Sequence, residues 1–235
     1  GGDNGLIRTR QLTTVDKTFR WYNMGDSNFH IPHNRIRNVY EDSEHNLWVA
    51  TDFGVCKYDY KSEKFIAHYI SNNDKTRNAN WAYHIVEDDK RTLWVSSYNG
   101  GIFKIKKTQL LGDQYLNIAD AHYGARNGLS SNNIDRIVFD KKGNIWALNH
   151  NKGVDVINAG SGKITPFSIP NYAGGNIPGF MINDAAGNVW VGYRNDVVKI
   201  DPASGATKAI AFEGAENALV KSLLEVGNKI WVTTT

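Results

Sequence analysis

The sequence predicts an all-β chain assembled from copies of one four-stranded antiparallel unit, and three observations carry that reading. Five segments align on one another: EDSEHNLWVAT, EDDKRTLWVSS, FDKKGNIWALN, NDAAGNVWVGY and LEVGNKIWVTT. Each holds a tryptophan behind a branched aliphatic residue, as Leu47-Trp48, Leu93-Trp94, Ile145-Trp146, Val189-Trp190 and Ile230-Trp231. Six positions before each tryptophan stands an acid: Asp42, Asp88, Asp140, Asp184 and Glu225. The tryptophans lie 46, 52, 44 and 41 residues apart, which suits one small sheet per repeat. A sheet of that size cannot bury both of its faces alone, so neighbouring copies must stack. Four-stranded units that stack about an axis are the blades of a β-propeller.

Each repeat can be read strand by strand. An apolar run comes first, Ile36-Arg37-Asn38-Val39-Tyr40 in one copy and Ile134-Asp135-Arg136-Ile137-Val138-Phe139 in another, and is the expected innermost strand. A polar hairpin comes next, such as Asp140-Lys141-Lys142-Gly143-Asn144. Aspartate can bond the backbone two residues on, while glycine and asparagine accept positive φ. The five acids are therefore expected to serve the turn and not catalysis. The second strand carries the tryptophan, expected to be buried in all five copies as a wedge between blades. The third strand opens on glycine, as in Gly54-Val55, Gly101-Ile102-Phe103 and Gly153-Val154. A further turn, for example Asp201-Pro202-Ala203-Ser204-Gly205, leads to an outer fourth strand such as Lys64-Phe65-Ile66-Ala67-His68-Tyr69.

The two ends of the sequence complement each other within one repeat. Residues 229–235 read as a second strand, Gly5 to Arg8 as the start of a third, and Phe19-Arg20-Trp21-Tyr22 as a fourth strand. About five blades are expected in a single domain over residues 1–235, one of them completed from both termini by pairing Gly5–Arg8 with the strand of Trp231. A stretch taken from a longer array is the rival reading.

Composition narrows the function. The chain has 235 residues, 41% of them apolar, enough for one large core. Its 27 basic and 24 acidic residues leave a net charge of +3, too balanced for a nucleic-acid interface. No run of 18 apolar residues offers a membrane-spanning helix, and no signal-peptide pattern opens the sequence. The expectation is a cytosolic chain or a piece of a longer one. Cys56, the only cysteine, lies in the apolar run Val55-Cys56-Lys57-Tyr58 and is expected to pack, not react.

The repeat resembles that of the two-component regulator propeller family. The likeness is clearest in Asp140-Lys141-Lys142-Gly143-Asn144-Ile145-Trp146 and Asp184-Ala185-Ala186-Gly187-Asn188-Val189-Trp190-Val191-Gly192, and it extends over nearly the whole chain. Two copies depart from it, with Arg91-Thr92 in place of Gly-Asn and Asn195-Asp196-Val197 where glycine opens the third strand. The resemblance implies the periplasmic sensor region of a bacterial hybrid histidine kinase, neighboured by further domains of that sensor and often responding to polysaccharide fragments. Lyase-like propeller enzymes carry similar repeats, and a passive scaffold for protein contacts is the third alternative. A homodimer is compatible with each.

The candidate ligand face is the one bearing the connections between blades and the loops between second and third strands. Those segments are Asp26 to Arg35, Asn72 to His84, His122 to Asn133 and Asn171 to Phe180, with Asp52-Phe53, Tyr98-Asn99, Asn149-His150-Asn151 and Tyr193-Arg194-Asn195. Amides and guanidinium groups bond hydroxyls or acidic groups, and aromatic faces stack on sugar rings. Tyr98, His150 and Tyr193 come four, four and three residues after their repeat tryptophans, so they are expected on equivalent loops. Trp81 stands outside the repeat position and is either a cap on the first strand or a ligand platform. The predicted ligand set is Trp81, Tyr98, Asn99, His150, Tyr193 and Arg194, contacting an oligosaccharide or a partner. His30, His33, His84, His122 and His150 show no tight metal-binding spacing. No metal, cofactor or catalytic residue is expected, and no G-x-S-x-G, P-loop or dinucleotide-binding motif is present.

Overall fold

A computed structural model describes residues 3–9, 19–25, 31–68, 81–106, 121–169, 179–192, 196–212 and 218–235. The repeat of the sequence reappears as four complete four-stranded antiparallel sheets, and the fold is a β-propeller. The first sheet is β3 (Ile36–Glu41), β4 (Leu47–Thr51), β5 (Gly54–Asp59) and β6 (Lys64–His68). The second is β7 (Ala82–Glu87), β8 (Thr92–Ser97), β9 (Gly101–Lys106) and β10 (Ala121–Tyr123). The third is β11 (Ile134–Phe139), β12 (Ile145–Asn149), β13 (Gly153–Ile157) and β14 (Ile164–Phe167), and the fourth is β15 (Phe180–Asn183), β16 (Val189–Gly192), β17 (Asp196–Ile200) and β18 (Thr207–Ala211). Two further sheets have two strands each: β1 (Leu6–Thr9) with β2 (Phe19–Tyr22), and β19 (Val220–Val226) with β20 (Lys229–Thr234).

The chain forms two compact units, residues 1–122 and 123–235. In the first unit, Trp48, Ala50 and Val55 of the first blade pack on Ile85, Leu93, Val95 and Phe103 of the second. Tyr22 of β2 joins Val49, Cys56, Tyr58 and Phe65. In the second unit, Trp146 and Leu148 of the third blade meet Met181, Val189 and Val191 of the fourth, and Val197 meets Val220 and Leu223 of β19. Cys56 is fully buried, as a packing residue should be, and burial pushes its thiol pKa up.

The acid of each repeat does more than close a turn. Asp42 Oδ1 accepts the backbone N–H groups of Glu44 and Asn46, both at 2.9 Å. Its Oδ2 accepts the Trp48 indole N–H at 2.8 Å. The same indole bond recurs from Trp94 to Asp88 at 2.9 Å, from Trp146 to Asp140 at 3.1 Å and from Trp190 to Asp184 at 2.8 Å. One side chain thereby fixes the hairpin and satisfies the polar atom of a ring sunk into the core. Three positions before the tryptophan the backbone is left-handed: Gly143 and Gly187 supply it freely, whereas His45 and Arg91 adopt φ near 60°.

The fifth repeat departs from expectation. Trp48, Trp94 and Trp146 are buried and Trp190 is partly buried, but Trp231 is 62% exposed. Its hairpin is shorter, with Val226 paired to Lys229 across Gly227-Asn228, so Glu225 lies within β19 opposite Ile230. Register thus aligns Glu225 with Glu41 and Glu87, the residues before the turn acids. Glu225 accepts the Ala185 N–H at 2.8 Å, as Glu87 accepts that of Ser43 at 2.7 Å. Trp231 also lacks a third strand in its sheet, whereas Trp48, Trp94 and Trp190 lie under third-strand lysines, Lys57, Lys104 and Lys199, at 5.2–5.6 Å.

The expected blade shared by both termini is not formed among the described residues. Leu6–Thr9 pairs with Phe19–Tyr22, and Lys229–Thr234 pairs with Val220–Val226, each as a separate two-stranded sheet. Both pairings join near neighbours in the sequence, which closes short loops at low entropic cost. The β1–β2 sheet is anchored to the first blade. Tyr22 lies edge-on to Phe65 with ring centroids 5.1 Å apart, Arg8 reaches Tyr58 and Glu63, and Arg20 reaches Glu63. Burial first, and the Tyr22 hydroxyl second, push the Tyr58 pKa up to about 12.

Candidate ligand-binding site

The innermost strand of a blade carries an irregularity at a fixed place. Pairing jumps from Ile36 to Asn38 in β3, from Ala82 to His84 in β7 and from Ile134 to Arg136 in β11, leaving Arg37, Tyr83 and Asp135 unpaired in the ladder. Each is a β-bulge, which bends the strand and re-aims the extra side chain. Just before each bulge, a backbone carbonyl accepts the N–H of the residue four after the tryptophan. Arg35 accepts from Asp52 at 3.3 Å, Trp81 from Tyr98 at 3.0 Å and Asn133 from His150 at 2.8 Å. Three positions per blade are so brought together: one before the strand, one at the bulge, one in the loop after the second strand.

Their side chains touch in every case. In the first blade, Asp52 is fully buried and takes Arg37 in two bonds, Oδ1 with Nε at 2.6 Å and Oδ2 with Nη2 at 3.0 Å. Arg35 approaches the same carboxylate at 3.4 Å and holds Asp3 at 2.7 Å. In the second blade, Tyr98 packs against both Trp81 and Tyr83, with ring centroids 5.3 and 5.5 Å apart and planes tilted by 32° and 44°. The two blades connect here, because the Arg37 guanidinium lies 4.4 Å from the centre of the Tyr83 ring. A continuous row results in the first unit: Asp52, Arg37, Tyr83, Tyr98, Trp81. All three rings are half-buried, and the buried Trp81 Nε1 donates to no atom among the described residues.

The third blade, in the second unit, carries a polar version. His150 Nδ1 lies 3.0 and 3.2 Å from the two oxygens of Asp135. The next residue, Arg136, places its guanidinium 3.4 Å from the centre of the Phe180 ring. Burial pushes its pKa down to about 10, against the opposing field of Asp135. Such acid–imidazole and guanidinium–ring pairs can bond hydroxyls and cover apolar C–H faces.

Of the residues expected at the site, Trp81 and Tyr98 are in contact, and Tyr98 and His150 occupy equivalent places on their blades. Trp81 is both things the sequence left open, a residue bonded at the head of the first strand and the end of an aromatic row. Asn99 takes a left-handed turn with φ 68°, a demand met equally by Asn151 in the next repeat. Tyr193 and Arg194 lie outside the described residues, as do His30 and the larger part of the loops 69–80 and 170–178. Arg37, Tyr83 and Asp135 were not singled out by the sequence. The signal was there, since all three stand eleven positions before their tryptophan.

Among the described residues, no group of three His, Cys, Asp or Glu side chains gathers as a metal site. His33 Nδ1 accepts the Arg35 N–H, and His122 stacks on Phe103 with centroids 4.6 Å apart. Among those same residues, no helix is long and apolar enough to cross a membrane.

Comparison with known proteins agrees with this geometry. The extracellular domain of a hybrid two component system from B. thetaiotaomicron is 38% identical over 100% of this chain, with a TM-score of 0.91. Histidine kinase P4 of Formosa agariphila is 29% identical over 75 residues, 30% of this chain. The chain spans 32% of the first protein and 6% of the second. Virginiamycin B lyase from Staphylococcus aureus shares the fold, at 16% identity over 94% of this chain and 68% of that one, with a TM-score of 0.62. The family model of the two component regulator propeller matches residues 30–53, the segment that holds the first Asp–Trp turn and the Arg37–Asp52 pair. The repeat from which this chain is built is that of the two-component regulator propeller family.

Proposed function

We propose that this chain is a ligand-sensing module in the periplasmic part of a two-component sensor, that it recognises an oligosaccharide, and that it performs no chemistry of its own. The observation that carries the reading is the row Asp52–Arg37–Tyr83–Tyr98–Trp81 on the loop-bearing edge of the first unit. Half-buried aromatic rings beside a fixed guanidinium–carboxylate pair suit a sugar, which offers apolar C–H faces and hydroxyls on one ring. The blades hold these groups in place before a ligand arrives, so little ordering cost falls on binding. Occupation of the row would bias the placement of this module against neighbouring domains of the sensor.

Calorimetric titration of the chain with neutral and acidic oligosaccharides tests the reading. At least one sugar binds the wild type, and Tyr98→Ala weakens it by about tenfold or more, as loss of a stacking face should. Binding that survives Tyr98→Ala unchanged places the ligand elsewhere. Turnover of any sugar replaces the sensor with an enzyme.

A further inference from the structure

We infer that the bulge residue of the innermost strand, together with the residue fifteen positions later, is the specificity-determining couple of each blade that has one. The couples are Arg37 with Asp52, Tyr83 with Tyr98, and Asp135 with His150. The inference rests on the saccharide-sensing reading and adds to it the positions that decide which saccharide is taken.

The blades can be compared with one another position by position. What builds a blade stays the same. The turn acid bonds the tryptophan in all four complete blades, and the third strand opens on a glycine of positive φ in three of them, Gly54, Gly101 and Gly153. A lysine faces the tryptophan ring in three. What the couple offers changes completely: a bidentate ion pair, an aromatic pair, an acid–imidazole pair. Its backbone does not change, because the same bulge and the same carbonyl bond hold it each time. A fixed frame around interchangeable chemistry is the arrangement expected of positions that read a ligand; positions that only support the frame would keep their chemistry.

The fourth blade supports this by exception. Eleven positions before Trp190 stands Gly179, which has no side chain to offer, and the pairing of β15 runs without a register shift. A Cβ at Gly179 would lie 1.9 Å from the Val220 carbonyl oxygen, so this blade cannot present a couple of the same kind.

The test exchanges one couple for another. Arg37→Tyr with Asp52→Tyr carries the second blade's couple into the first, and Tyr83→Arg with Tyr98→Asp does the reverse. The single change Asp52→Tyr serves as the unmatched control. Each variant and the wild type are labelled with 5-fluorotryptophan, the Trp81 resonance being assigned through Trp81→Phe. They are titrated with galacto-, gluco- and galacturono-oligosaccharides of equal length, and melting temperatures are recorded in parallel. The expected result is that the matched exchanges restore the melting temperature lost in the control, yet shift the affinity for the sugar bound by the wild type at least about tenfold, or transfer preference to another sugar. A sugar that binds wild type and both exchanged forms within twofold overturns the couples as specificity positions while leaving the sensor reading intact. Matched exchanges that unfold the protein as the control does make the couples structural and overturn the inference too. Failure of every sugar to bind the wild type overturns the saccharide reading itself, and the couples with it.

Discussion

The Asp140 carboxylate and the Trp146 indole, six residues apart, are joined by a 3.1 Å hydrogen bond in the core of the third blade. The same oxygen takes the Asn144 side-chain amide at 2.9 Å, while the other takes the N–H groups of Lys142 and Asn144. Removal of the carboxylate therefore strands a buried indole N–H and opens the hairpin together. Asp140→Ala is expected to cost about 2–4 kcal/mol, the range for several lost bonds to a charged acceptor. Glu225→Ala, in the repeat whose acid does not reach its tryptophan, should cost under about 1 kcal/mol. Chemical denaturation of the two variants measures this, and equal losses contradict it.

His45 and Arg91 occupy the left-handed position that Gly143 and Gly187 fill in other blades. His45→Gly and Arg91→Gly should each stabilise the protein by about 1 kcal/mol, since a side chain there strains the backbone by roughly that much. Gly187→Ala should do the reverse, because its Cβ would meet the Lys141 side chain at 2.6 Å in addition to the strain. Thermal melts of the three variants give the comparison.

Burial raises the Asp184 pKa, but the bonds from Trp190 and Asn188 outweigh it and hold the carboxyl below its usual value. A native pKa below that of the unfolded chain means the stabilisation is whole above about pH 4, the ordinary carboxylate value. It is lost as pH falls through the lower native value. Stability of the wild type should therefore fall on acidification below about pH 4. Asp184→Asn should be less stable at neutral pH and lose less on acidification. A variant with an unaltered acid limb in urea unfolding shows that the bonds to Asp184 do not carry this effect.

Asp52 is fully buried and is the carboxylate that Arg37 bonds twice, whereas the Asp3–Arg35 pair lies at the surface. Asp52→Asn should destabilise by about 3 kcal/mol, because a partly buried guanidinium loses its countercharge. Asp3→Asn should change stability by under about 0.5 kcal/mol. Differences in denaturation midpoint between the two settle whether the row is held from its Asp52 end.

Most of the fold could be read from the sequence because the repeat is local. The Asp–x–x–x–Asn turn, the aliphatic-Trp pair and the glycine before the third strand are each determined within a few residues, as in Asp140 to Trp146 and Gly153-Val154. The misreadings came where counting replaced register. Glu225 stands six residues before Trp231, yet its shorter hairpin puts it in the strand, a difference visible only once Val226 pairs with Lys229. The pairing of β1 with β2 likewise depends on which of two partners wins, which periodicity does not reveal. At the site, Trp81 and Tyr98 were legible as unusual residues in expected loops. Arg37, Tyr83 and Asp135 were not, because a bulge is a register event: in an alternating pattern each reads as an ordinary first-strand residue.

The central claim is that an acid–indole bond sets each blade and so fixes the edge on which the row is displayed. Hydrogen exchange at the seven tryptophan indole N–H groups of the 15N-labelled protein tests it directly. Trp48, Trp94, Trp146 and Trp190 should exchange slowly, with Trp231 exchanging near the rate of a free indole. Protection of Trp231 equal to the other four, or free exchange at two or more of them, contradicts the account.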